Sequence, residues 1–351
     1  MTGATGHVGN VLVRALLERK VPVKVVTRPG SDLTPLAGLD VEQVTGDVTD
    51  RASLVGPLRG ADVVFHVAGL VSITAGREQD LTAVNVEGTR NVVEACRAAG
   101  VRRLVYTSSV HALTEPERGG VLDEAGGFDP ATAFGPYGKS KAAASRLVQA
   151  AAREGALDTV LVLPTGCLGP FDFLLSETGQ LISMAARGTI PIVIAGGYDW
   201  VDVRDVAVGT IAAAEKAPSG EAYLLSSAYL SATDLCTHVA KVAGARPPLG
   251  ALPLWLARGL SYGGYAWERV TGRRALLTPY AVHTISKDFE ISGEKARRDL
   301  DFNPRPVQET LTDAWRWLST HPHSPLKRGT RVAPARLPSP GSVDGSPTDG
   351  A

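Results

Sequence analysis

Sulfur is scarce in this chain of 351 residues: Cys96, Cys167 and Cys236 are an odd, scattered set with neither metal-ligand spacing nor a disulfide framework. That usage fits a reducing compartment, so a cytoplasmic location is expected. Excess charge is lacking too. Lys and Arg number 36 and Asp and Glu number 36, which argues against the strongly basic face that holds nucleic acid or an anionic membrane. No basic-then-apolar leader opens the sequence, and no signal peptide is expected. No long apolar run survives either. The longest, Leu249 to Val270, is broken by Pro253, Arg258 and Glu268, so no membrane-spanning helix is expected. Histidine is sparse, and His321 and His323 have no carboxylate cluster beside them. No metal site is assigned.

What is present is a rhythm. Apolar residues make up 44% of the chain, enough for a full core. Short β-branched runs at Val23 to Thr27, Asp62 to Val67, Arg103 to Thr107 and Thr159 to Leu163 alternate with helical patterns at Val8 to Lys20, Leu81 to Ala99 and Tyr137 to Glu154. Near-continuous apolar strands are buried on both faces, as in a parallel sheet. Strand, helix, strand at this spacing predicts an α/β fold with a doubly wound parallel Rossmann sheet. After Pro164 the pattern changes. Residues 1–165 are expected to form the dinucleotide-binding domain, with 190–226 returning to it through a helix at Asp202 to Lys216 and a strand at Ala222 to Ser226. Residues 166–189 and 227–320 are expected to form a smaller substrate lobe, and the Pro-, Gly- and Ser-rich residues 321–351 a disordered tail.

Gly3, Gly6 and Gly9 open the first helical pattern. A helix amino terminus offers free N–H groups and the positive end of its dipole, and glycines let the backbone approach a pyrophosphate. Where an NAD site usually carries an acidic residue for the ribose, at the end of the next strand, this chain has Thr27 and then Arg28, nineteen positions after Gly9. A guanidinium there suits a 2′-phosphate, so NADP is the expected cofactor, with NAD as the alternative. Asp47 and Val48, after the third strand, are expected near the adenine. Only Met1 and Thr2 precede the loop, where a central strand of about 5–6 residues belongs. Losing about four apolar residues of it would forfeit roughly 6–12 kcal/mol, so the start of the natural chain is expected upstream of Met1.

Tyr137-Gly-Lys-Ser-Lys141 places a phenol and an ammonium four apart, one above the other on a helix. Lowering a phenol from about 10 by ~3 units needs roughly 4 kcal/mol of differential interaction. Lys141 and an oxidised nicotinamide are expected to supply it, making Tyr137 the proton exchanger. Lys141 is also expected to hold the nicotinamide ribose. Ser109, ending Val105-Tyr-Thr-Ser-Ser109, is expected to orient a substrate oxygen, with Ser108 as its rival on the opposite face. Asn85 is expected to brace Lys141 through water.

These residues, with Asn85-Val-Glu-Gly-Thr-Arg-Asn91 and Val203-Arg-Asp-Val-Ala207, resemble the extended short-chain dehydrogenase/reductase superfamily over residues 2 to about 320. The resemblance is strongest to its dihydroflavonol reductase-like and 3β-hydroxysteroid dehydrogenase-like branch, labelled NAD-dependent epimerase/dehydratase. It implies Tyr137 as acid/base, Lys141 as its activator, Ser109 as the orienting hydroxyl and Gly3, Gly6 and Gly9 as the pyrophosphate loop. It also implies a homodimer through the helices starting near Leu81 and Tyr137.

The leading reading is an NAD(P)-dependent oxidoreductase acting on a ketone or secondary alcohol of a bulky, largely apolar small molecule. Sugar-nucleotide epimerases usually carry an Asn shortly before the Gly-Pro that follows the sixth strand, where Thr165-Gly-Cys-Leu-Gly-Pro170 has Gly166. They also carry an Arg two residues before the aromatic that leads into the Val-Asp-Val segment. Here Tyr198, Asp199 and Trp200 stand there, and Phe171, Phe173, Trp200 and Trp255 are expected to make an apolar pocket. The alternatives are a nucleotide-sugar epimerase or dehydratase with tightly bound NAD, and a non-catalytic NADP-sensing or scaffold protein.

Overall fold

The computed structural model describes residues 1–72, 76–271 and 279–327. Four parallel strands run in the order Ala222–Leu225, Asp158–Pro164, Arg103–Thr107, Val63–His66. Lys24–Thr27 and Glu42–Thr45 form a second parallel pair. The two parts meet on Thr2, which bridges Val26 on one side and His66 on the other, parallel to both. Thr2 N–H donates to Phe65 O at 3.0 Å, Val67 N–H to Thr2 O at 3.2 Å and Val26 N–H to Met1 O at 2.8 Å. The Met1 ammonium donates to Lys24 O at 2.7 Å, and burial lowers its pKa to about 5. Met1 and Thr2 thus occupy the expected central place. From there the winding proceeds outward in both directions, and ligands bind outside the strand ends at such a reversal.

Helices cover both faces because successive strand residues point to opposite sides. Leu104 and Tyr106 of Arg103–Thr107 pack with Val92 and Cys96 of the helix Gly88–Ala99 and Val148 of the helix Gly135–Arg153. Val105, between them, packs with Leu12 of His7–Glu18 and with Ala207 and Ile211 of Val203–Lys216. Gly100, at φ 70°, ends the helix before it in the left-handed conformation that glycine adopts freely. Ala142 and Ala144 are fully buried against the chain's own core, so these small residues serve packing within the chain.

Beyond Pro164, strand Gly166–Leu168 pairs in parallel with Gly197–Asp202, and Ala228–Ser231 pairs antiparallel with the same strand. Helices Glu177–Ala186, Ala232–Ala243 and Val307–Thr320 enclose a core of Phe173, Ile182, Val239, Leu311 and Trp317. Within the stretch 321–351, Leu326 packs against this core, His321 stacks on Trp317 at 5.0 Å and Ser324 is fully buried. The rest of the expected tail, 328–351, lies outside the described residues.

Candidate active site

The glycine loop is shaped by close backbone contacts. Gly3 has φ 74°, and a Cβ on it would lie 2.4 Å from Ala68 N. A Cβ on Gly9 would lie 2.0 Å from Gly3 O, so the helix sits directly on the loop. Gly6 differs: its nearest neighbour would be Gly3 O at 3.4 Å, and as N-cap it gives the helix no side-chain cap. The amino terminus therefore keeps its N–H groups for a ligand. These are features that a dinucleotide pyrophosphate fits. Asn10 fixes the surroundings, its Nδ2 donating to Gly6 O at 2.8 Å and to Phe171 O at 3.1 Å.

Arg28 stands exposed just beyond Lys24–Thr27 and takes part in none of the ion pairs among the described residues. The Asp47 carboxylate is engaged locally, its Oδ1 accepting from Thr49 N–H and Thr49 Oγ1, both at 2.9 Å. Val48 is buried, and a Cβ on Gly88 would lie 3.0 Å from its side chain.

At the carboxyl end of Arg103–Thr107 the two serines part company. Ser108 Oγ lies 2.6 Å from Ser145 Oγ, which donates to Lys141 O. Ser109 is extended, accepts at 3.3 Å from His111 N–H and lies close enough to the Tyr137 phenol to lower its pKa. Strand alternation sends only Ser109 toward Tyr137. Tyr137 sits in the first turn of Gly135–Arg153 and is buried.

The expected acidic phenol is not what the chain's own groups produce. Burial pushes Tyr137 up to about 12, against which the nearby Ser109 hydroxyl pulls down. Lys141 does not offset this, because its Nζ donates to Thr107 O at 2.7 Å and to Tyr106 Oη at 3.1 Å. Burial lowers Lys141 to about 7. Spacing on the helix puts Lys141 on the Tyr137 face, but strand-end acceptors capture its amine. Asn85 is buried, accepts from Leu70 N–H at 2.7 Å and donates to Ser140 Oγ at 3.0 Å. A Cβ on Gly69 would lie between it and Lys141, 3.4 Å from Asn85 Oδ1 and 3.5 Å from Nζ.

Beneath these residues runs a buried polar chain. His66 Nδ1 lies 2.8 Å from Thr2 Oγ1 and its Nε2 3.1 Å from Thr89 Oγ1, which donates to Asn85 O. Burial, with Lys141 nearby, drops His66 to about 3, so it stays neutral.

Aromatic rings surround Tyr137. His111 meets it edge-on at 6.0 Å, stacks on Tyr198 at 5.8 Å and shares a 3.0 Å hydrogen bond with Tyr198 Oη. Tyr280 lies 5.7 Å from His111 and 5.6 Å from Phe134, with its hydroxyl buried and without a hydrogen-bond partner among the described residues. Of the expected pocket aromatics, only Trp200 joins this group, edge-on to Tyr198 at 5.5 Å. Phe173 packs on Trp317 in the lobe core, Phe171 lies under the Arg14 guanidinium, and Trp255 is on the surface. For Phe134, which the sequence reading does not single out, the one local signal is its place three residues before Tyr137. For His111 and Tyr280 no local pattern exists.

Comparison with known proteins agrees with this geometry. Residues 1–226 match the model of the "NAD dependent epimerase/dehydratase family". The chain is similar to the sterol demethylase protein B of Methylococcus capsulatus, at 33% identity over 91% of this chain and 97% of that one. It is similar to a putative dihydroflavonol 4-reductase of Synechocystis, at 31% identity over 92% and 94%. The crystal structure of gox2253 superposes with a TM-score of 0.80 at 32% identity, covering 92% of this chain and 98% of the other.

Proposed function

The chain belongs to the NAD dependent epimerase/dehydratase family of extended short-chain dehydrogenases and reductases, and on that premise we propose that it reduces a ketone on a bulky, weakly polar ring system, using Tyr137 as the proton donor. The observation that carries this reading is the buried Tyr137 phenol in the first turn of Gly135–Arg153 beside Ser109 at the strand end, where burial raises its pKa. A phenol so placed stays protonated at neutral pH, which is the form that reduction requires. When bound at the Gly3–Gly9 loop, a nicotinamide dinucleotide supplies the hydride. Ser109 orients the substrate oxygen toward the Tyr137 phenol. Lys141, held by Thr107 O and Tyr106, presents its ammonium below the site and reaches the ribose hydroxyls. Arg28 pairs with a 2′-phosphate, so NADPH is the preferred form.

The substrate class rests on what fills the sugar-nucleotide positions. A Cβ on Gly166 would lie 2.4 Å from the Trp200 ring, so no amide side chain fits there. Tyr198 stands at the expected arginine position and spends its hydroxyl on His111. The walls beside Tyr137 are rings, and among the described residues the Tyr280 hydroxyl and Trp200 Nε1 are both left without a hydrogen-bond partner. The names of the two relatives, one concerned with a sterol and one with a dihydroflavonol, fit such a pocket. Three free cysteines suit a reducing cytoplasm. A homodimer through the outer faces of Gly88–Ala99 and Gly135–Arg153 completes the proposal, and sedimentation velocity tests it.

The deciding experiment is a screen of polycyclic ketones and sugar nucleotides with NADPH and NADH, read by absorbance of the reduced nicotinamide. Stoichiometric consumption with a polycyclic ketone supports the reading. Conversion of a sugar nucleotide without net consumption overturns it in favour of an epimerase.

A further inference from the structure

The chain-wide charge balance hides a local imbalance. Segments 187–197 and 235–263 contain Arg187, Lys241, Arg246 and Arg258 and not one Asp or Glu. All four cations are exposed, and none takes part in an ion pair among the described residues. The two segments adjoin. A Cβ on Gly188 would lie 3.2 Å from Arg246 N, Leu249 N–H donates to Pro191 O at 2.9 Å, and strand Gly250–Leu252 pairs in parallel with Ile192–Ile194. The helix Leu254–Thr271 starts directly after that strand.

Among the described residues the three largest exposures of big apolar side chains lie on this edge: Leu249 is 91% exposed, Trp255 74% and Tyr262 69%, with Ile192 also exposed at 55%. Trp255, Arg258 and Tyr262 fall at i, i+3 and i+7, one stripe of the helix. Ala257 and Ser261, on the other side, are buried. A folded protein in water has no reason to spend a Trp and a Tyr this way, and large exposed apolar groups mark interaction sites. Aromatic rings with one polar end, an arginine between them and leucine alongside are the composition of a surface that lies at the headgroup level of a bilayer. The unpaired cations select an anionic headgroup.

We propose that this edge, formed by Ile192, Leu249 and the Trp255–Tyr262 stripe and flanked by the four cations, docks the protein onto an anionic lipid bilayer. The rings and leucine enter the headgroup layer and the cations stay at its surface. No helix of the described residues is long and apolar enough to cross a membrane, so the contact is peripheral. The proposal stands apart from the hydride chemistry: Ile192, Leu249, Trp255 and Tyr262 are exposed, whereas Tyr137, Ser109 and Lys141 are buried.

The test is co-sedimentation of the full chain with large vesicles of pure phosphatidylcholine or of phosphatidylcholine with 30% phosphatidylglycerol as the probe (~30% is enough for a strong surface potential). Binding is expected with the anionic vesicles only, weakening with salt. Arg246→Glu and Arg258→Glu should each cost about fivefold or more in partitioning. The double variant Leu249→Ser, Trp255→Ser should abolish it while dinucleotide binding, read by fluorescence, stays unchanged. Equal binding to both vesicle types, or variants that partition like the parent, overturns the proposal. So does a lipid-independent dimer, seen by sedimentation equilibrium, that the double variant dissociates, because the face then belongs to a second copy of the chain. Loss of reductase activity in every screen would defeat the proposed function and leave this partitioning result standing.

Discussion

The Lys141 ammonium donates to the Tyr106 hydroxyl at 3.1 Å and stands 4.7 Å from the centre of its ring, one strand residue away from the carbonyl of Thr107 that it also grips. The amine that helical spacing assigns to Tyr137 is thus anchored in the sheet, and the phenol keeps its proton.

If Tyr137 is the proton donor, Tyr137→Phe should lower kcat about 10²- to 10⁴-fold and leave the dinucleotide dissociation constant within about twofold. Steady-state reduction and a fluorescence titration measure the two. An unchanged kcat would remove Tyr137 from the chemistry.

Lys141 sits near 7 instead of its ordinary value because burial disfavours its charge. A lowered pKa means that the ammonium is present below about 7 and disappears as pH rises through it. Lys141→Met should therefore weaken dinucleotide binding most at pH 6, and the gap to the parent should narrow toward pH 9. A gap independent of pH would show that the charge is not what Lys141 contributes.

The three loop glycines should separate into two kinds. Gly9→Ala drives a methyl to 2.0 Å from a backbone oxygen, and a loss of more than about 3 kcal/mol in urea unfolding is expected. Gly6→Ala meets nothing closer than 3.4 Å, so stability should hold within about 1 kcal/mol while dinucleotide affinity falls. Equal stability losses would mean that Gly6 serves the fold alone.

Arg28→Ala should lower kcat/KM with NADPH by about 10- to 100-fold, the worth of a charge-assisted hydrogen bond. Values with NADH should move little. A parallel loss with both cofactors would refute the 2′-phosphate role.

His66 and His111 are both held near 3 by burial. Each is neutral in the fold and cationic in the unfolded chain below about 6.5. The stability they allow is complete above pH 6.5 and is lost as pH falls toward 3, at about 1.4 kcal/mol per pH unit each. Asp199, raised by burial to about 6, works in the opposite sense between 3.8 and 6 and offsets one of them. Urea unfolding from pH 4.5 to 6.5 should show a slope that His111→Gln flattens by one proton. An unaltered slope would place His111 in contact with water.

The sequence by itself determined the elements and the glycine turn that opens the first helix. Strand alternation at Arg103 to Thr107, the glycines at 3, 6 and 9 and the Tyr137 to Lys141 spacing are local patterns. Their physics acts within a few residues: a turn that only glycine adopts, a face that repeats every 3.6 positions, a strand that must be apolar on both sides. Those patterns could not rank Ser109 over Ser108, send the Lys141 amine to Tyr106, or gather His111, Tyr198 and Tyr280 around the phenol. Such contacts join residues far apart in the chain, Tyr198 and His111 being 87 positions distant, and they arise only when the lobe folds back over the strand ends. The surface stripe from Leu249 to Tyr262 follows the same division. Its composition was legible as an interrupted apolar run, but whether that run faced the core or the solvent depended on which side the tertiary packing buried.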